Sequence, residues 1–591
     1  MPSEKIENLL NLALDSNMEE RDKSLELNVG YDKTEKTWEL IVKYHGDLSQ
    51  AVQDAVRIER LTAGYAIVTI KENLIESFAN LEEVEYIEKP KRLFFSLLEG
   101  KRASCILPIT IRVPSLTGEG ILIAVIDSGI DYAHSDFRHA DGTTRIVALW
   151  DQTIMPMAEK GFYAPPGFEV GTQFTSDQIN EALREPTGAG RMKVVPSYDA
   201  TGHGTAVAGI AAGGGIESGG VYTGVAPKSD LLIVKLGQPD KEGFPRTTEL
   251  MRALAYVSRT AMALAKPISV NLSFGNTYGS HDGTSLVERY LDNIAEIGRS
   301  VICVGSGNEG ASAGHVAGRL TERKTVTIEL ALAPYEIALN VQLWKNYADE
   351  FRIYVKAPNG EEIEIFTQTE NKQTARIDNT TLLLYNGEPK PYTVNQEIYV
   401  DMIPVNTYLA SGIWSFRLEP IRIISGEYYF YLPAANVRNT DTRFYRPTPE
   451  VTLTIPSTAA KVITVGAYDV MYDAYADFSG RGYVDTRDAL TSIGSGGVKP
   501  DLVAPGVTII SARAGGGYAS YTGTSFATPF VTGGAALLME WGIERGNDRY
   551  LYGEKVKAYL IRGARQLPGF DAFPNPRVGW GALCVGDSLP I

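Results

Sequence analysis

The chain has 591 residues, 44% hydrophobic and 21% charged, which is the balance of a folded globular protein and excludes whole-chain disorder. No apolar run approaches the roughly 18 residues of a membrane-spanning helix. The net charge of −15 argues against nucleic acid as a partner, because a phosphate backbone needs a cationic face.

At the N-terminus, MPSEKIENLLNLALDS mixes acids with its apolar residues and lacks the basic lead and greasy centre of a secretory signal. The spacing of Ile6, Leu9, Leu10 and Ala13 predicts a short helix there. From Thr37 the texture changes. WELIVKYHG, GYAIVTIKE and VEYIEKPK read as strands, and LSQAVQDAVRIE and LIESFANLEEV as helices, giving a small α+β unit. LFFSLLEGKRASC, which follows, shows no clear period. From Gly120 onward, ILIAVID, DLLIVKLG, ISVNLSF, SVICVGSG and KVITVGAYD are nearly continuous apolar runs, with helical stretches such as TELMRALAYVSRTAMALA between them. That pattern predicts a doubly wound α/β domain with a mostly parallel sheet. Residues 320–450 interrupt it with eight or so short segments alternating by two, separated by turns such as PNG and NGEP, which predict an inserted antiparallel β-sandwich. Cys105, Cys303 and Cys584 lie far apart in sequence, which points to neither a disulfide framework nor a CxxC metal site, and to synthesis in a reducing compartment.

Of the six histidines, five read as ordinary surface or core residues. His203 stands out in DATGHGTAVAGIAA, where glycines flank the ring and a helical run follows. No second ligand sits at metal spacing on that helix, so a base is the better reading. Asp127, at the C-terminal end of ILIAVID, can orient such a base, although a strand-end Asp alone is usually a turn cap. Ser525, in YTGTSFATPF where a small-residue loop enters a helix, can be a nucleophile, although a lone Ser there is usually an N-cap. Pro529 reads as lying in the first turn. Asn308, in VICVGSGNEG, can donate to an oxyanion together with the Ser525 N–H, although a lone Asn often serves only a turn. The order Asp…His…Asn…Ser on strand ends of one sheet is hard to reach by chance. It excludes the α/β-hydrolase order, in which the serine comes first, and agrees with that of subtilisin.

AVIDSGID, GHGTAVAGIAA, NLSFG, GSGNEG and GTSFATP resemble the motifs of the subtilase family of serine endopeptidases. The resemblance implies that Asp127 orients the imidazole, His203 is base and then acid, Ser525 attacks, and Asn308 holds the oxyanion. It also implies that Ser273, Phe274 and Gly275 pair with the substrate backbone, and that Gly305 and Gly307 wall the S1 pocket. GGGIESGGVYT lacks the Asn-rich calcium loop of secreted subtilisins, so no metal or other cofactor is expected. The long segment between Asp127 and His203, including TTRIVALWDQT, and the inserted sandwich resemble clostridial germination (Csp) proteases. These are made during sporulation, carry a jelly-roll insert and activate the zymogen of a spore-cortex-lytic enzyme.

The expected organisation is a ferredoxin-like prodomain over 1–100, acting as chaperone and inhibitor, and a protease domain over 101–319 and 451–591. A jelly-roll-like insert over 320–450 divides that domain and braces it. Self-cleavage is expected within Lys91–Lys101, with the freed prodomain staying bound. The remaining partner is a protein or peptide substrate, with neither nucleic acid nor a membrane anchor. Synthesis is expected in the cytoplasm, with packaging in the spore. The competing readings are a general bacterial subtilase with an unrelated substrate, an idle pseudoprotease, and a binding protein acting through the sandwich.

Overall fold

A computed structural model describes residues 5–18, 21, 27–28, 30–48, 55–60, 64–90, 96–111, 115–238, 245–366, 372–389, 392–484 and 497–590. The chain forms two compact units, Met1–Phe95 and Ser96–Ile591, so the first ends slightly short of the expected residue 100. In the first unit, the leading helix is Asn8–Asp15, with Leu10 and Ala13 in the core beside Ile6. Strands β1 (Tyr31–Asp32), β2 (Thr37–Tyr44), β3 (Ala55–Arg60), β4 (Tyr65–Lys71) and β5 (Val84–Glu88) form an antiparallel sheet in the order β1-β2-β4-β3, with β5 also on β2. Trp38, Leu40 and Val42 alternate along β2 and are fully buried. One expectation fails here. LSQAVQDAVRIE was read as a helix, but its end is strand β3, with Ile58 opposite Val68 and Arg60 opposite Ala66. Val56 and Ile58 stand two apart, which is a strand period and not a helical one, and the edge of β4 takes this segment as a paired strand.

In the second unit, the stretch after LFF that showed no period is a helix, Ser96–Ala103. The central sheet contains β6 (Leu122–Asp127), β7 (Ile146–Asp151), β8 (Thr172–Thr175), β9 (Asp230–Lys235), β10 (Ile268–Leu272) and β11 (Ser300–Gly305), then Ile463–Asp469 and Ala474–Tyr475. Its order, from the last of these inward, is Ala474–Tyr475, Ile463–Asp469, β11, β10, β6, β9, β7, β8, with Leu502–Pro505 also paired to Ile463–Asp469. Pairings from Ile463–Asp469 across to β7 are parallel, and β8 is antiparallel to β7. TTRIVALWDQT, an insertion in the sequence reading, therefore supplies a strand of this sheet. Its two faces are covered by separate cores. One contains helices His203–Ala212 and Thr524–Met539, and the other contains Thr247–Ala263 and Leu286–Ala295.

Between β11 and Ile463, strands from His315 to Phe444 build a six-stranded and a five-stranded antiparallel sheet that share one core around Leu330, Val341, Leu382, Trp414 and Phe416. Three of these strands had no apolar alternation to announce them: His315–Arg319, Lys372–Ile377 and Arg443–Phe444.

The cysteines require a correction. Cys105 and Cys584, 479 residues apart in sequence, are joined as a disulfide with Cα atoms 4.8 Å apart, while Cys303 is free and buried. Spacing along the chain could not reveal a pair that the fold brings together. Among the described residues, no helix is long and apolar enough to cross a membrane.

Candidate active site

The C-terminal ends of β6, β10 and β11 open on one edge of the sheet, where ligands of such folds bind. Asp127 ends β6 and is buried; its Oδ1 accepts from the Ser128 N–H at 2.7 Å and from His203 Nδ1 at 2.7 Å. His203 opens its helix after Gly202, which takes a left-handed φ of 74°. Gly204 is required by proximity: a Cβ there would lie 2.2 Å from Gly129 O and 3.1 Å from Asp127 Cβ, so only glycine lets the helix start against the strand end.

The ring of His203 is 31% exposed. Its burial disfavours the charged form, but the charge and hydrogen bond of Asp127, with Asp199 further out, outweigh that effect and raise its pKa above the ordinary histidine value. Asp199 escaped the sequence reading. Its Oδ1 accepts from Gly202 N–H (3.0 Å) and the Ser128 hydroxyl (2.8 Å), and its Oδ2 from Thr205 N–H (2.8 Å) and hydroxyl (2.7 Å). It thus caps the helix that presents His203. DATGH held the signal, an acid just ahead of a helix start.

Ser525 is the second residue of helix Thr524–Met539, after Gly523 at φ 150°. Pro529 lies beyond the first turn, inside this helix, contrary to the sequence expectation. It has no N–H for the Ser525 carbonyl, which instead accepts from the Ser273 hydroxyl at 3.0 Å. In return, the Ser525 hydroxyl donates to Ser273 O at 2.9 Å. Asn271 Nδ2 donates to Ser273 Oγ (2.8 Å), and the Thr532 hydroxyl donates to Asn271 Oδ1 (3.0 Å), fixing the strip after β10 to the Ser525 helix. The imidazole of His203 packs on Phe526, with ring centroids 5.3 Å apart, so His203 and Ser525 share one rim. The Ser525 hydroxyl is turned to Ser273 O rather than to His203, and base–nucleophile pairs of this kind tighten when substrate is seated.

Asn308 follows β11 through Ser306 and Gly307. Its Oδ1 accepts from Thr524 N–H and hydroxyl, each at 3.1 Å, which orients the amide beside the start of the Ser525 helix. Gly307 takes φ 90°, and a Cβ there would lie 2.5 Å from Thr454 Cγ2; a Cβ on Gly275 would meet Thr454 Oγ1 at the same distance. Thr454, also missed in the sequence, therefore fills the space between the Ser273–Gly275 strip and the Gly305–Gly307 wall. Phe274 packs partly buried against the adjoining core.

A parallel sheet with Asp and His at neighbouring elements, Ser at a helix start and Asn at the next strand end defines the subtilisin-like class. The chain belongs to the subtilase family, whose pattern matches residues 118–334 and 434–581. Residues 4–91 match the Csp protease B prodomain. The solved CspB protease of Clostridium perfringens is similar over 83% of this chain and 96% of its own, at 34% identity and a TM-score of 0.74. Among curated proteins, the minor extracellular protease Vpr of Bacillus subtilis is 26% identical over 80% of this chain and 52% of its own length. The PII-type proteinase of Lactococcus lactis subsp. cremoris is 23% identical over 75% and 24%. The chain thus spans about half or less of these curated relatives.

Proposed function

We propose that the chain is a serine endopeptidase. The 2.7 Å contact of Asp127 with His203, on the rim that carries Ser525, is the observation that carries the reading. His203 takes the Ser525 hydroxyl proton through its other ring nitrogen as Oγ bonds to the scissile carbonyl carbon. Asp127 holds the ring and stabilises the imidazolium. The negative carbonyl oxygen takes hydrogen bonds from Asn308 Nδ2 and the Ser525 N–H. As the C–N bond breaks, His203 protonates the leaving amine. Water then enters by the same route in reverse and frees the acid. Ser273–Gly275 pairs with the substrate as an added strand, and Gly305 and Gly307, with Thr454 between, bound the pocket for the residue before the cut.

The Csp match extends the proposal to self-processing. Of the expected window Lys91–Lys101, Lys91–Phe95 lies outside the described residues. From Ser96 the chain is helical, and Lys101 is buried, its Nζ donating to the carbonyls of Thr223 and Gly224 at 3.1 Å each. A protease cleaves extended backbone, which supports a cut before Ser96 within that window. The jelly-roll character of the insert, the ferredoxin-like character of the prodomain, its retention as an inhibitor, spore packaging and activation of a cortex-lytic zymogen follow the same resemblance. Expression of wild type and Ser525→Ala tests the processing. Wild type should run as fragments of about 10 and about 54 kDa, from a mean near 109 Da per residue (64.4 kDa over 591 residues), and Ser525→Ala as one chain. An intact wild type that hydrolyses a peptide would refute processing, and identical fragments from both proteins would show an outside protease.

A further inference from the structure

The loop that carries Asn308 is held from two sides. On the protease side, Ser306 N donates to Val465 O (2.9 Å), Gly310 N to Phe478 O (2.9 Å) and Gly480 N to Gly307 O (2.8 Å). On the other side stands the exit of the insert, Leu432–Phe444. Leu432 N donates to Gly314 O (2.9 Å), and Phe444 N to Ala313 O (3.0 Å), where Ala313 takes a left-handed φ of 55°.

Between these backbone contacts lies Arg438, a buried arginine of the insert. Its Nε donates to Pro433 O (3.0 Å), its Nη1 to Thr442 O, and its Nη2 crosses to Ser312 O at 2.7 Å. Glu309, next to Asn308, accepts from Ala435 N–H on both carboxylate oxygens (3.2 and 3.3 Å), and the charges of Glu309 and Glu336 offset part of the cost of burying the guanidinium. Glu336 in turn accepts from the Thr442 hydroxyl at 2.8 Å, fixing the turn from which Arg438 reaches. A buried guanidinium with three carbonyl acceptors is rigid and costly to disturb.

We infer that Arg438 is a positioning residue: through Ser312 it sets the loop that aims Asn308 at the oxyanion, so the insert contributes to turnover as well as to the fold. The inference rests on the protease reading and adds to it a residue from outside the protease segments. The insert supplies the Arg438 bond to Ser312 and the Ala435 bond to Glu309, both made to the loop that runs on from Asn308, and that loop is the route by which they reach the reaction.

The test is a double-mutant cycle on peptide hydrolysis, with Arg438→Met and Arg438→Lys each made in the wild-type and Asn308→Ala backgrounds, alongside hydrogen exchange of the Asn308–Gly314 amides. With Asn308 present, Arg438→Met should lower kcat about tenfold with KM nearly unchanged. With Asn308→Ala it should change kcat by less than about twofold, because the group it positions is gone. Arg438→Lys should recover part of kcat, and the loop amides should exchange about tenfold faster in Arg438→Met. An equal kcat loss in both backgrounds, or unchanged loop exchange, overturns the inference. A wild type that hydrolyses nothing refutes the protease reading instead, and the exchange result alone then decides the role of Arg438.

Discussion

Replacing Asp199 should separate two effects of one buried carboxylate. Asp199→Ala removes the acceptor of the Gly202 and Thr205 N–H groups at the start of the His203 helix, a cap worth about 1–2 kcal/mol. It also leaves the fully buried Thr205 hydroxyl without its acceptor, for about 1 kcal/mol more. Unfolding should become easier by about 2–3 kcal/mol, a fall of about 2–3 °C in Tm at about 2.1 cal/mol/K of unfolding entropy per residue. Asp199→Asn keeps one oxygen acceptor and loses less stability, but it removes the charge. Asp199 is one of the groups that raise the His203 pKa against the opposing effect of burial, so the variant's imidazole titrates at lower pH. His203 must be neutral to take the Ser525 proton. The acid limb of kcat/KM should therefore move to lower pH in Asp199→Asn. The assay is peptide hydrolysis across the acid limb, on processed protein freed of its prodomain, with a thermal melt of each variant. An acid limb that stays in place, or moves to higher pH, would refute the electrostatic part of the argument. An unchanged Tm in Asp199→Ala would refute the capping part.

Asn308→Ala should lower kcat by about 10²–10³, the cost known for this donor in subtilisin itself, and leave KM close to wild type in steady-state hydrolysis; a pure KM effect would reduce Asn308 to a turn residue. Thr454→Ala should admit larger side chains before the cut, since Thr454 packs within 2.5 Å of both Gly275 and Gly307 Cβ positions; a peptide-library profile identical to wild type would remove it from the pocket. Cys105→Ser should lower Tm under oxidising conditions, because the bond closes a span of 479 residues and constrains the unfolded chain by up to about 4–5 kcal/mol. Reductant should lower Tm in wild type and leave Cys105→Ser unmoved; equal sensitivity in both would place the effect elsewhere.

The sequence made the chemistry legible because the reacting groups lie within short runs whose small residues are dictated locally. Gly204 beside His203 leaves room for the Gly129 carbonyl, Gly307 before Asn308 leaves room for the Thr454 side chain, and such glycines show as motif. The parallel strands were equally plain, since β6, β10 and β11 are buried along their whole length. What stayed hidden depends on partners distant in sequence. β3 reads as helix until β4 offers its edge, and Lys372–Ile377, with exposed and polar positions, pairs at the rim of a sheet without an apolar stripe. Arg438 and Thr454 sit in unremarkable loops and gain meaning only where the insert rejoins the protease fold. The Cys105–Cys584 pair has no local mark at all.

Mapping a fluorophosphonate adduct by mass spectrometry on the prodomain-freed wild type, beside Ser525→Ala and His203→Ala, tests the central claim most directly. The adduct should form on Ser525 Oγ, be absent from Ser525→Ala, and form far more slowly in His203→Ala, where no base takes the proton. A folded wild type that stays unlabelled, or carries the adduct on another residue, would contradict the assignment of Ser525, His203 and Asp127 as one catalytic unit.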